Sequence, residues 1–178
     1  MPPPANGAWP GYTRDLTLVP AGRPAGAGTA SMSGDRRFAD TNILLYAHDE
    51  SAGDKHDRAR ALVEQLWESR EGCLSVQVLQ EFFVNVTRKI AKPLDAATAK
   101  EIVADFSRWY LHVPGADDVL AAIGIHQRTG ISFWDAMIVR SAAEIGCAVL
   151  YSEDLNAGQE YSEVRVENPF QPPVADYA

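Results

Sequence analysis

The sequence predicts an α/β protein, a three-layer α/β/α sandwich around a mainly parallel central sheet of four or five strands. Two observations carry this expectation. Short apolar runs of strand length alternate with longer stretches whose apolar residues recur at helical spacing, the pattern of βαβ units with helices on both faces. The chain has 178 residues, 46% hydrophobic and 22% charged, which suffices for one domain with a sizeable buried core.

The elements follow in order. Residues 1–35 hold six prolines and six glycines and no periodic apolar pattern, so they read as a disordered leader. From Arg36 the pattern changes, and 36–170 read as the folded domain, with 171–178 a short tail. Phe38-Ala39 opens a strand, Asp40-Thr41-Asn42 a turn, and Ile43 to Tyr46 a helix. Ala59, Leu62, Val63, Leu66 and Trp67 mark a helix over 55–67, which Gly72 ends. Cys73 to Val76 is a second strand, and Gln77 to Lys92 a long amphipathic helix with Leu79, Phe82, Phe83, Val86 and Ile90 on its apolar face. Pro93 stops it. A helix over 95–108, a short strand at Tyr110 to Val113 and a helix from Ala116 to Arg128 come next. Ser132-Phe133-Trp134-Asp135 opens a helix running to about Ile145, where Gly146 caps it. Ala148 to Tyr151 is a buried strand, and Val164-Arg165-Val166 a final edge strand.

Several classes are set aside. No apolar run is long enough to span a bilayer and no secretory signal opens the chain, so a cytoplasmic protein without membrane contact is expected. Cys73 and Cys147 make no zinc site; each precedes an apolar run and reads as a small buried residue. His48, His56, His112 and His126 lack metal-ligand spacing and read as surface or packing residues. The net charge of −8 argues against a module that coats nucleic acid non-specifically. It does not argue against a site whose carboxylates hold cations that face a phosphate.

Four acids stand where such a site forms. In an open α/β sheet, ligands bind at the carboxyl ends of the strands. Asp40 follows the first strand and Asp154 follows the strand at 148–151. Asp135 is in the first turn of its helix, and Glu81 about one turn into another. Each has an ordinary explanation. Asp40 caps a helix, Asp135 forms a capping-box-like pair with Ser132, Asp154 closes an Asx turn, and Glu81 is a solvated helix residue. Together these explanations weaken, because packed carboxylates repel unless a cation or proton intervenes. All-oxygen ligands suit Mg²⁺ or Mn²⁺. Asn85 and Arg88 follow Glu81 by four and seven residues on one helical face, so that the stripe offers a carboxylate for a metal, an amide for a water beside it and a guanidinium for a phosphate in turn; the ordinary alternative is a solvated face. Trp134 reads as core packing rather than a stacking platform for a base, since Met137 and Ile138 make that side of the helix apolar.

Four motifs in order, Phe38-Ala39-Asp40-Thr41-Asn42, Ser75 to Lys89, Ser132-Phe133-Trp134-Asp135-Ala136 and Ser152-Glu153-Asp154-Leu155-Asn156-Ala157-Gly158-Gln159, with Asn168-Pro169-Phe170 closing the domain, resemble a PIN domain. The likeness is greatest to VapC-like toxins of bacterial toxin–antitoxin pairs and covers Arg36 to Phe170. It implies a metal-dependent endoribonuclease with Asp40, Glu81, Asp135 and Asp154 as catalytic metal ligands. Thr41, Asn42 and Asn85 would support them, and Arg88 would contact RNA phosphate. It further implies Mg²⁺ or Mn²⁺ as cofactor, RNA as substrate, a cognate antitoxin as partner, and a homodimer. The leader does not match the family. Two alternatives remain: a metal-dependent phosphatase on another α/β fold, and a non-catalytic interaction domain. A haloacid-dehalogenase-type phosphatase needs a second aspartate two residues after the first, where this chain has Asn42. Loss of one acid would favour the interaction domain, and none is missing.

Overall fold

Among the residues described by the computed structural model, 36–171, there are six strands and six α-helices, with a pair of helices between each two of the first four strands. The strands are β1 (Arg37–Ala39), β2 (Gly72–Ser75), β3 (Tyr110–His112), β4 (Val149–Tyr151), β5 (Glu160–Tyr161) and β6 (Val164–Glu167). The helices are α1 (Thr41–Ala47), α2 (Asp54–Ser69), α3 (Val76–Val86), α4 (Ala96–Phe106), α5 (Ala116–Thr129) and α6 (Phe133–Glu144). The expected leader, and the tail beyond Gln171, lie outside the described residues.

The sheet order is β3-β2-β1-β4-β6-β5. Every pairing is parallel except β5 with β6. The chain winds outward from β1 through β2 to β3, then crosses back to β4 on the other side of β1. Right-handed crossovers therefore put α1–α4 on one face of the sheet and α5–α6 on the other. The reversal between β1 and β4 is the topological switch point, where the crevice beyond the strand ends opens.

Three expectations need correction. The sheet has six strands rather than four or five, because Glu160-Tyr161 pairs antiparallel with Val164 and Arg165 through a tight turn with Ser162 and Glu163 at positive φ. That hairpin makes β5 the edge and moves β6 inside the sheet. The third helix ends at Val86, well before Pro93. The amides of both Arg88 and Lys89 donate to the Asn85 carbonyl, and the Leu94 amide reaches the Val86 carbonyl. The chain thus reverses and buries Ile90 against the core instead of extending the helix. Phe83, expected on the apolar face, is partly exposed.

The core between the sheet and α1–α4 is aromatic. Phe82 and Phe106 meet edge to face at 5.9 Å, with Trp67, Trp109 and His48 completing the cluster. The first residue of β2 must be glycine here. A Cβ on Gly72 would lie 2.5 Å from the Trp109 ring. Both cysteines are buried and free, as their apolar neighbourhoods implied.

Candidate metal and active site

The β1–β4 register builds the first half of the site. Ala39 pairs with Tyr151, and the Asp40 amide donates to the Tyr151 carbonyl at 3.0 Å. Asp40 and Ser152 therefore leave adjacent strands side by side at the switch point. The Ser152 hydroxyl donates to Asp40 Oδ2 at 2.7 Å and accepts the Asp154 amide at 3.2 Å. Asn42 Nδ2 joins the same two acids, 3.3 Å from Asp40 Oδ2 and 3.0 Å from Asp154 Oδ2.

Asp40 does occupy an N-cap position. Its carboxylate, however, accepts from the next residue's amide, Thr41 N at 2.6 Å, whereas an ordinary cap bonds the second or third amide of the helix. Only 7% of it is exposed, so its charge is not there for solubility. Burial pushes its carboxyl up from the usual carboxylate range to about 6. The Ser152 and Thr41 hydrogen bonds oppose that rise, and the negative charges of Asp154 and Glu81 add to it.

The second half comes from α3 and α6. Ser75 caps α3, and Glu81 one turn further projects toward α1. Thr41 Oγ1 donates to Glu81 Oε2 at 2.8 Å, and Gln77 Nε2 donates to Oε1 at 2.9 Å. The same Gln77 amide reaches the Trp134 carbonyl at 3.3 Å and so ties α3 to the start of α6. Ser132 caps α6 by accepting the Asp135 amide at 3.1 Å, and its hydroxyl donates to Asp135 Oδ2 at 2.7 Å. Part of the ordinary explanation for Asp135 is therefore present, yet the residue also faces the cleft.

All four acids line one cleft of about 160 Å³, together with Thr41, Asn42, Asn85, Gln77 and Trp134. Arg88 does not line it, because α3 ends two residues earlier. Nor do the four histidines. Trp134 corrects a further expectation. It is 63% exposed and sits on the cleft rim instead of in the core, because the buried side of α6 is formed by Ala136, Met137, Ile138 and Val139. Gln77 and Ser152 were not foreseen. The spacing of Gln77, one helical turn before Glu81, was a usable signal. Ser152 had none beyond its place at a strand end.

The donor set is chemically uniform: four carboxylates, flanked by hydroxyls and amides. Among the described residues, no group of three or more His, Cys, Asp or Glu side chains is arranged to hold a metal ion as it stands. The acids are instead held by neutral donors, and the Asn42 amide stands between Asp40 and Asp154, where two negative charges call for a cation. Hard oxygen donors that repel one another in this way fit a divalent ion such as Mg²⁺ or Mn²⁺.

A family model for the PIN domain matches residues 37–159. Among curated proteins, none matches this chain. Among solved structures, the chain is similar to the DNA-bound VapBC of Salmonella typhimurium, with 18% identity, a TM-score of 0.54, and coverage of 75% of this chain and 98% of that one. It is similar also to VapBC2 of Rickettsia felis bound to a promoter DNA fragment, with 19% identity, a TM-score of 0.53, and coverage of 74% and 97%. Mycobacterium tuberculosis VapC20, described as a toxin cleaving the sarcin–ricin loop, shares 23% identity over 66% of this chain and 89% of its own, at a TM-score of 0.48. The likenesses to the two VapBC structures concern the fold. No helix among the described residues is long and apolar enough to cross a membrane.

Proposed function

The chain belongs to the PIN-domain family, and from that premise we propose that it is a metal-dependent endoribonuclease, the toxin of a toxin–antitoxin pair. One observation carries the reading: carboxylates from four separate segments line a single cleft at the switch point of the sheet. Membership in this family leaves the phosphatase alternative without support. A complete set of acids is what a purely structural domain does not need.

Asp40, Glu81, Asp135 and Asp154 would hold the ion, Mg²⁺ or Mn²⁺. When bound, such an ion supplies a more acidic water and neutralises charge that builds on a phosphate. The chain's own residues do the positioning. Ser152 and the Thr41 amide aim Asp40, while the Thr41 hydroxyl and Gln77 aim Glu81. Asn42 would have to yield to the ion, since its amide bridges the two acids, Asp40 and Asp154, that a cation would claim. Asn85 lines the wall above Glu81. With water as the nucleophile, the products carry 5′-phosphate and 3′-hydroxyl ends. No histidine lines the cleft to activate a 2′-hydroxyl.

The likeness to two VapBC assemblies bound to DNA supports a cognate antitoxin as partner. An arginine or lysine from that partner would suit the acidic cleft. A homodimer and cytoplasmic work on RNA complete the proposal. The test is incubation of the purified chain with labelled RNAs in Mn²⁺, Mg²⁺ or EDTA. Cleavage is expected with either ion and not with EDTA; RNA left intact under all three conditions overturns the reading.

A further inference from the structure

We propose that Trp134 is a stacking platform for the base of a nucleotide next to the scissile phosphate, and so sets how this site grips its RNA. The inference rests on the ribonuclease reading and adds the residue that would supply affinity.

A tryptophan with 63% of its surface exposed needs a reason, because burying that ring in the core would stabilise the fold. This one lies on the wall of the acidic cleft, one residue from Asp135. It is also held in place. The Phe133 ring meets it edge-on at 5.4 Å, and Gln77 fixes its carbonyl while holding Glu81 with the same amide. The backbone that carries the ring is thus tied to Glu81 while the ring itself rests against Phe133, and a side chain positioned beforehand loses less freedom on binding.

The scarcity of basic side chains at the cleft favours such a platform. Proteins that grip single-stranded nucleic acid combine a basic groove with aromatic stacking. Here the net charge is −8 and the cleft is acidic. Arg88, the cation that the sequence placed on the same helical face as Glu81, does not line the cleft. With the phosphate attraction reduced, stacking must supply a larger share of the binding. Every base has a π-face, so the platform is tolerant of base identity and does not by itself set sequence preference.

The experiment is single-turnover cleavage of a short labelled RNA in Mn²⁺ by the wild-type chain, W134A and W134F, with a matching RNA that carries one abasic ribose beside the scissile bond. Trp134 is exposed, so neither variant removes core packing. W134A is expected to raise the half-saturating RNA concentration about tenfold or more, with little change in the maximal rate constant, and W134F to recover most of that loss. The abasic RNA should cost the wild type a similar factor and cost W134A nothing further, because both changes remove one contact. Additive penalties, or an unchanged half-saturating concentration in W134A, overturn the proposal. An unchanged concentration with loss of a co-purifying protein would assign the ring to a protein partner instead. A second readout stands apart from cleavage. Intact RNA should quench the fluorescence difference between wild type and W134F, and the abasic RNA should not. Absence of that quench sinks the stacking role even if cleavage is strong. Quenching without any metal-dependent cleavage would leave stacking standing and remove the ribonuclease reading.

Discussion

Two neighbouring residues of α3 serve two different regions of this protein. Phe82 is fully buried and meets Phe106 and His48 in the aromatic cluster beneath the sheet. Glu81 turns about 100° away around the same helix and lines the acidic cleft. The cluster is aromatic and so closely packed that a Cβ on Gly72 would meet the Trp109 ring. The cleft gathers like charges, and there burial, with the charges of Asp154 and Glu81 adding to it, raises the Asp40 carboxyl. Packing is optimised in the first region and sacrificed in the second. Stability and the capacity to bind a cation therefore reside in separable groups of atoms on shared elements.

The largest expected effect breaks the first region alone. Phe82→Ala should cost about 3–5 kcal/mol of stability, through lost burial and the cavity left among the rings. Urea unfolding measures this, and the surviving folded fraction should keep metal-dependent cleavage. A loss below about 1 kcal/mol would mean that the cluster is less closely packed than its ring contacts indicate.

The next breaks the second region alone, and with opposite signs for activity and stability. Asp40→Asn should lower cleavage in Mn²⁺ by at least about 100-fold, yet raise metal-free stability at pH 7. The sign follows from linkage. The carboxyl titrates near 6 in the fold against an ordinary value of 3.8. The folded state therefore holds the extra proton, and stability falls as pH rises through that window. A shift of about two units corresponds to about 3 kcal/mol, less the cost of rearranging three hydrogen bonds. His48 acts in the reverse direction. Burial lowers its imidazole from 6.5 to about 4, so stability rises with pH over that range. Burial also lowers His112. The wild type should thus show a shallow profile between pH 4 and 6, and Asp40→Asn a clear rise. Melting temperature against pH, without metal, reads both; parallel profiles would refute the electrostatic account.

Gly72→Ala sharpens the claim of close packing. Its new methyl meets a ring at 2.5 Å inside a filled cluster, so a loss of about 1–3 kcal/mol is expected by denaturation. Smallest of all, Gln77→Ala should leave the melting temperature nearly unchanged while reducing cleavage about tenfold, because it frees Glu81 and Trp134 from their shared amide. A steady-state rate close to wild type would show that the clamp is dispensable.

Much of this was legible in the chain. Apolar period marked nearly every strand and helix, since burial of one face is a local property of spacing. The four acids stood out because each sits at an element boundary, and boundaries carry caps and turns that sequence displays. What period does not contain is where an element is overruled by tertiary contacts. α3 stops at Val86 because Ile90 gains burial by reversing, and Arg88 is carried past the helix end by that turn. Glu160-Tyr161 was too short to read as a strand until Val164 and Arg165 gave it a partner.

The sequence by itself determined the succession of strands and helices, most of the buried set, and which acids sit at strand and helix ends. These follow from side-chain type and spacing along one segment. Only the tertiary structure decided which residues from distant segments share a hydrogen bond. Ser152 joined Asp40 across 112 positions and Gln77 joined Trp134 across 57, and the Trp134 ring turned to the rim while its helix buried the opposite side. Such meetings depend on strand register and crossover handedness, which act between segments and leave no period in any one of them.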